Sequence, residues 1–185
     1  MSSNASKNSM DPIRALAFDH LYALGGDAAS ARLAAEQLDT LSPEARTRAL
    51  NIAGRRLAFQ LLYELEQAKT HDPRGATKAA VARVPDLGPI AGEHIIDLAM
   101  GAYDARAAAD KEFTTLAPEW PAHRQPAVDR AILRLAHYEL TLGRTPAKLV
   151  LSEAIELARH FSTDKSPAFV NGLLDKVYRR IHPEG

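Results

Sequence analysis

The 185-residue chain contains no cysteine. Disulfides, thiolate metal sites and a cysteine nucleophile are therefore excluded, in keeping with a reducing, cytoplasmic setting. Long apolar runs are missing as well. None approaches the roughly 18 residues that span a membrane, and no membrane partner is expected. Residues 1–10 are polar and lack the apolar core of a secretory signal, so they read as a disordered tail. Net charge is absent too: basic and acidic side chains number 23 each. A dedicated nucleic-acid binder is usually basic overall, so this balance argues against strong, autonomous RNA or DNA binding. The charge is slightly uneven, since residues 1–46 carry four basic and six acidic side chains.

Patterns that carry catalysis are also lacking. Seven histidines occur, but none is paired with another at i, i+3 or i, i+4, and there is no His-Glu-x-x-His. Gly25-Gly26 is not followed by the lysine of a phosphate loop, and no nucleophile elbow appears. Glu153, Glu156 and Arg159 read as helix-surface charges, with no pocket to shift a carboxylate pKa. No enzyme activity, metal or cofactor is expected.

What is present is helical periodicity. Hydrophobic residues make up 46% of the chain, enough for a core. Asp11-Pro12 opens an apolar-periodic segment that stops at Gly25-Gly26, and a second short helix fits Ala28 to Leu38. Ser42-Pro43-Glu44 is a helix start, with Ser42 as cap, Pro43 in the first position and Glu44 at the positive end of the dipole. The helix that follows extends to about Lys69, with Ala58, Leu61, Leu62 and Leu65 on one face. Gly54, costing about 1 kcal/mol relative to alanine, suggests a break near Ile52–Gly54. His71 to Pro89 is rich in proline and glycine and reads as loop, with one helical turn at Lys78–Val84. Helices are expected over Ile90–Glu112, over Ala127–Leu142 up to Gly143, from Thr145-Pro146 to Phe161, and from Ser166-Pro167 to Ile181. No strand alternation is seen. Asn171-Gly172 reads as a packing position at a helix crossing.

One internal echo stands out. Arg14-Ala-Leu-Ala-Phe-Asp-His-Leu-Tyr-Ala-Leu24 matches Arg55-Arg-Leu-Ala-Phe-Gln-Leu-Leu-Tyr-Glu-Leu65 at seven of eleven positions. A duplicated helix and chance likeness between two leucine- and alanine-rich helices both account for it.

Three blocks carry a family likeness. They are Val128-Asp-Arg-Ala-Ile-Leu-Arg-Leu-Ala-His-Tyr-Glu-Leu140, Ser152-Glu-Ala-Ile-Glu-Leu-Ala-Arg159 and Ser166-Pro-Ala-Phe-Val-Asn-Gly-Leu-Leu-Asp-Lys176. In order and spacing they resemble the signature helices of the NusB family. Arg56-Leu-Ala-Phe-Gln-Leu-Leu-Tyr63 resembles that family's first helix, and Trp120 fits as well. The resemblance implies an all-α fold, a compact bundle of two packed helical subdomains. It would occupy residues 47–185 and follow a helical extension over 11–46. It also implies transcription antitermination. A protein of this kind binds boxA-like single-stranded RNA in nascent ribosomal RNA transcripts together with the ribosomal protein NusE. It then joins the RNA polymerase elongation complex, as a monomer or a homodimer.

The resemblance also assigns residues. RNA contact is expected from the basic start of the first helix, Arg46, Arg48, Arg55 and Arg56, led by Arg55 and Arg48, and from Arg130. Asn51, Ile52 and Ala53 interrupt this cluster, so fewer phosphate contacts and a shallower salt dependence follow. On the residues alone, a solvated helix face is the simpler reading. Tyr63, Asp129, Asp164 and Lys165 are implied at the partner interface. Lys165 departs from the family, which often has an acidic residue there.

Two rivals remain. One is the NusB-like domain of ribosomal RNA cytosine-5 methyltransferases, for which a chain ending at Gly185 is expected to be too short. The other is a structural or protein-interaction module of the same fold with weak or no RNA binding. The acidic extension invites a further expectation: if Arg14–Leu24 copies the first helix, it packs onto a hydrophobic face or covers the RNA surface.

Overall fold

The structure, a computed structural model, describes residues 40, 42–68, 70–83 and 89–183. The expected tail, the two helices before Leu38 and the echo at Arg14–Leu24 lie outside the described residues. Within them the secondary structure is helical, with no strand.

Among the described residues six α-helices follow one another: α1 (Pro43–Ala68), α2 (Pro73–Val81), α3 (Pro89–Leu116), α4 (Ala127–Leu142), α5 (Ala147–Phe161) and α6 (Ser166–Ile181). A short 3-10 turn, Ala122–Arg124, precedes α4. Helices α1 to α3 pack on one another, as do α4 to α6, and the α3–α4 seam joins the two groups. One hydrophobic cluster runs through both, with Leu62, Phe113, Ile132, Leu133 and Leu174 fully enclosed.

Helix α4 is the axis. Residues 131–137 are all buried, on every side of the helix, as expected for a helix surrounded by others. It touches α1, α3, α5 and α6. At Gly101 on α3 an added Cβ would lie 2.2 Å from the Tyr138 ring, so the glycine leaves room for this α4 tyrosine against α3. Gly143 ends α4 at φ 66°, a left-handed cap that glycine adopts without steric cost.

Three expectations are corrected. Helix α1 is continuous through Gly54, because its neighbours on both sides are tied to other helices and Ile95 lies against it. The stretch after His71 is a nine-residue helix, not loop. Asp72 caps it by accepting from the Gly75 N–H at 2.9 Å, and Pro73 takes its first turn, the same Xaa-Pro start as Ser42-Pro43. Asn171 and Gly172 are exposed, and nothing stands within 4 Å of where a Gly172 Cβ would be, so neither marks a helix crossing.

Candidate nucleic-acid and partner interface

The polar residues of the buried α4 set the geometry of the surface. Each is tied to a side chain of a neighbouring helix, as buried polar groups require partners. Glu139 accepts two hydrogen bonds from Arg55 of α1, from Nε and Nη2, both at 2.8 Å. Arg134 reaches Asp110 of α3 at 2.8 Å and Glu66 of α1 at 2.5 Å. His137 lies 3.0 Å from Glu112 of α3, which also pairs with Arg180 of α6. Asp129 accepts from Ser166 Oγ of α6 at 2.8 Å.

This fixes the place of each expected RNA contact. Arg46 and Arg48, in the first two turns of α1, are exposed. Two residues apart on a helix, they point to different sides. Arg55 and Arg56 are not at the surface: only 8% and 6% of each is exposed. Burial alone would lower the Arg55 pKa. The hydrogen bonds and charge of Glu139, with the charge of Glu153, outweigh it and hold the guanidinium above its ordinary value. Arg55 is thus a charged tie between α1 and α4. Arg56 lies over the Phe161 ring at 4.5 Å, between α1 and the end of α5. The expectation that Arg55 and Arg56 face RNA does not fit these positions. The middle of α1 is enclosed by α3, α4 and α5, so consecutive side chains there point into the body. Glu153, read as a surface charge, is also buried.

Arg130 is half-buried and sits 3.7 Å from Glu66, near the far end of α1. It also donates to the carbonyls of Ala122 and Gln125, both at 3.2 Å. Along α1, Glu66 is roughly 27 Å from Arg48 at 1.5 Å per residue. The basic residues therefore divide into an exposed pair at one end of α1 and a single cation at the other.

The partner residues come together better. The α5–α6 corner carries Asp164 and Lys165, both exposed. Its hydroxyls form a small cluster: Ser166 Oγ is 3.0 Å from Ser162 Oγ and 2.9 Å from Thr163 Oγ1, and it holds Asp129. Asp129 is 2% exposed, so it braces the corner rather than projecting from it. Its second oxygen, Oδ1, is buried without a hydrogen-bond partner. Tyr63, half-buried, lies one turn before Glu66, the residue that holds Arg130. Next to this region Trp120 is 38% exposed, with the Arg124 guanidinium 4.9 Å above its ring. Sequence reasoning noted the tryptophan but not this stack. The spacing of Trp120 and Arg124 across a proline turn was the available signal.

Among the described residues the body is helical, with exposed cations at the start of α1, an exposed aromatic–cation stack at Trp120 and Arg124, and exposed charges at the α5–α6 corner. A sequence model of the NusB family matches residues 52–179, and the chain belongs to that family. It is 50% identical over 99 residues to the transcription antitermination protein NusB of Solibacter usitatus, covering 54% of this chain and 67% of that protein. It is 37% identical over 137 residues to the NusB of Herpetosiphon aurantiacus, with 70% and 90% covered. Its structure resembles T. maritima NusB at a TM-score of 0.61 and 27% identity, over 69% of this chain and 89% of that one. Tyr63, Asp129, Arg130, Asp164 and Lys165 fall within the matched span, whereas Arg46 and Arg48 precede it. No helix among the described residues is long and apolar enough to cross a membrane.

Proposed function

We propose that this chain is a transcription antitermination factor that holds boxA-like single-stranded RNA together with the ribosomal protein NusE and carries them to the RNA polymerase elongation complex. Family membership supports the activity. The single structural observation that carries the binding mode is the braced α5–α6 corner, where Asp129 and Ser166 hold the exposed Asp164-Lys165 loop beside the end of α5.

In this reading the protein partner docks at the corner and against Tyr63. RNA phosphates meet Arg46 and Arg48 at one end and Arg130 at the other, with the Trp120–Arg124 stack offering a platform for a base. Arg55 and Arg56 position α1 and do not touch RNA. With three cations assigned to phosphate, the partner supplies much of the affinity. The test is a titration of boxA-like RNA, with and without NusE, at two salt concentrations. Binding should be sequence-dependent and tighten when NusE is added. Equal affinity for a scrambled RNA would contradict the proposal. That outcome would favour a protein-interaction module of the same fold, a reading that the burial of Arg55 and Arg56 also suits.

A further inference from the structure

Three large apolar side chains are exposed among the described residues, and two of them, Leu50 at 45% and Leu142 at 39%, line the same groove. The groove has a volume of about 730 Å³. It lies between the first half of α1 (Leu50, Gly54), the start of α3 (Ile95, Leu98) and the α4–α5 corner (Leu142, Leu149). Two exposed leucines in one groove form an apolar surface available to a docking segment.

Charge narrows the occupant. The carboxylates in the groove are already engaged, Glu139 by Arg55 and Asp97 by Arg74 at 3.0 Å. Arg144 on its wall and Arg48 in the adjoining cleft, which shares Thr47, Asn51 and Leu149 with it, are both exposed. No carboxylate of the described residues pairs with either. Glu44 lines the same cleft as Arg48, so the net positive charge of the rim rests on Arg144, and an apolar floor beside it fits the apolar face of an acidic amphipathic helix.

We infer that the occupant is the chain's own residues 11–38. This segment reads in sequence as two amphipathic helices about Gly25-Gly26. Residues 11–39 hold five acidic and two basic side chains, opposite in sign to the rim. The echo supplies the shape. Ala17, Phe18, Leu21 and Leu24 repeat Ala58, Phe59, Leu62 and Leu65, the face that α1 buries in the core. Residues 14–24 thus offer the groove an apolar pattern of the kind that α1 buries in the core. The tether suits this. Leu38 precedes Pro43 by five positions, and Thr47, the first groove residue, is roughly 6 Å further along α1. A hairpin at Gly25-Gly26 brings residues 14–24 back over the groove, and covalent linkage keeps their local concentration near the millimolar range. Docking sets acidic side chains beside Arg48. It therefore competes with RNA phosphates, a consequence that rests on the RNA reading above.

Because the chain has no cysteine, two introduced thiols are the only ones present. The full chain carrying Leu21→Cys and Leu142→Cys is oxidised at low micromolar concentration, beside a control carrying Leu21→Cys and Lys111→Cys. The docked segment should close the first disulfide within one chain about tenfold faster than the second, and added salt should slow it. Equal rates in the two variants overturn the proposal. Disulfides that form only between chains also overturn it and identify a second copy as the occupant. Leu50→Asp, at an exposed position, should slow closure without altering the melting temperature, and unchanged closure counts against the groove. RNA titration of the oxidised and reduced forms then reads the competition separately. If the disulfide forms and RNA binds both forms alike, docking stands and the competition at Arg48 falls. If neither form binds RNA, the RNA reading fails while the docking result is untouched.

Discussion

Helix α1 carries two pairs of arginines whose surroundings are opposite. Arg46 and Arg48 stand in its first two turns, exposed to solvent. Arg55 and Arg56, two turns further on, are enclosed, one clamped to Glu139 and the other laid over Phe161. Residue type and spacing make the four look like one basic cluster. Packing separates them, because the start of the helix is exposed and its middle packs against α3 and α4, with Phe161 at the end of α5 against Phe59 and Arg56. In the proposed function the exposed guanidinium pair at the helix start meets phosphate. The same group in mid-helix has its donors taken up by a carboxylate that would otherwise be buried unpaired. The difference between the pairs is therefore one of what surrounds the helix, and it predicts opposite effects of the same substitution.

The largest effect is expected at Arg55. Arg55→Ala leaves Glu139 charged and buried without its partner, which costs about 3–5 kcal/mol, seen as a lowered midpoint in urea unfolding. Replacing both members, Arg55→Met with Glu139→Leu, should recover most of that loss. If Arg55→Ala unfolds at the wild-type midpoint, the two pairs do not differ as described. An intermediate effect is expected at the corner. Ser166→Ala removes the one hydrogen bond to buried Asp129, a loss of about 1–3 kcal/mol measurable by thermal unfolding. Weakened NusE binding should accompany it. The smallest effect on stability belongs to the exposed pair. Arg46→Ala with Arg48→Ala should stay within about 0.5 kcal/mol of the parent, and a larger shift would mean that these side chains also serve the fold.

The sequence shows some of this and hides the rest for physical reasons. Helices α4, α5 and α6 are legible because proline, glycine and apolar periodicity mark both their ends and their buried faces. The Gly143 stop is local chemistry, visible in the residue itself. Helix α2 was legible in principle, since Asp72-Pro73 repeats the Ser42-Pro43 start, but the surrounding prolines and glycines outweighed it. The Arg55–Glu139 pair joins residues 84 positions apart, and no local pattern announces such a contact. The same holds for Asp129 and Ser166. Their residue types fit either a surface site or a buried brace, and only the packing of α4 decides between them. The candidate site was therefore legible as a set of residues. Which of them reach solvent was not, because exposure depends on helices far away in the chain.

The account is tested most directly by the salt dependence of RNA affinity in the Arg46→Ala, Arg48→Ala double variant, measured beside the parent with NusE present. Two lost phosphate contacts on a single strand should make the slope of log affinity against log salt shallower by about 1.4, with the unfolding midpoint unchanged. An unaltered slope and affinity would contradict the claim that the exposed pair, rather than the buried one, meets RNA.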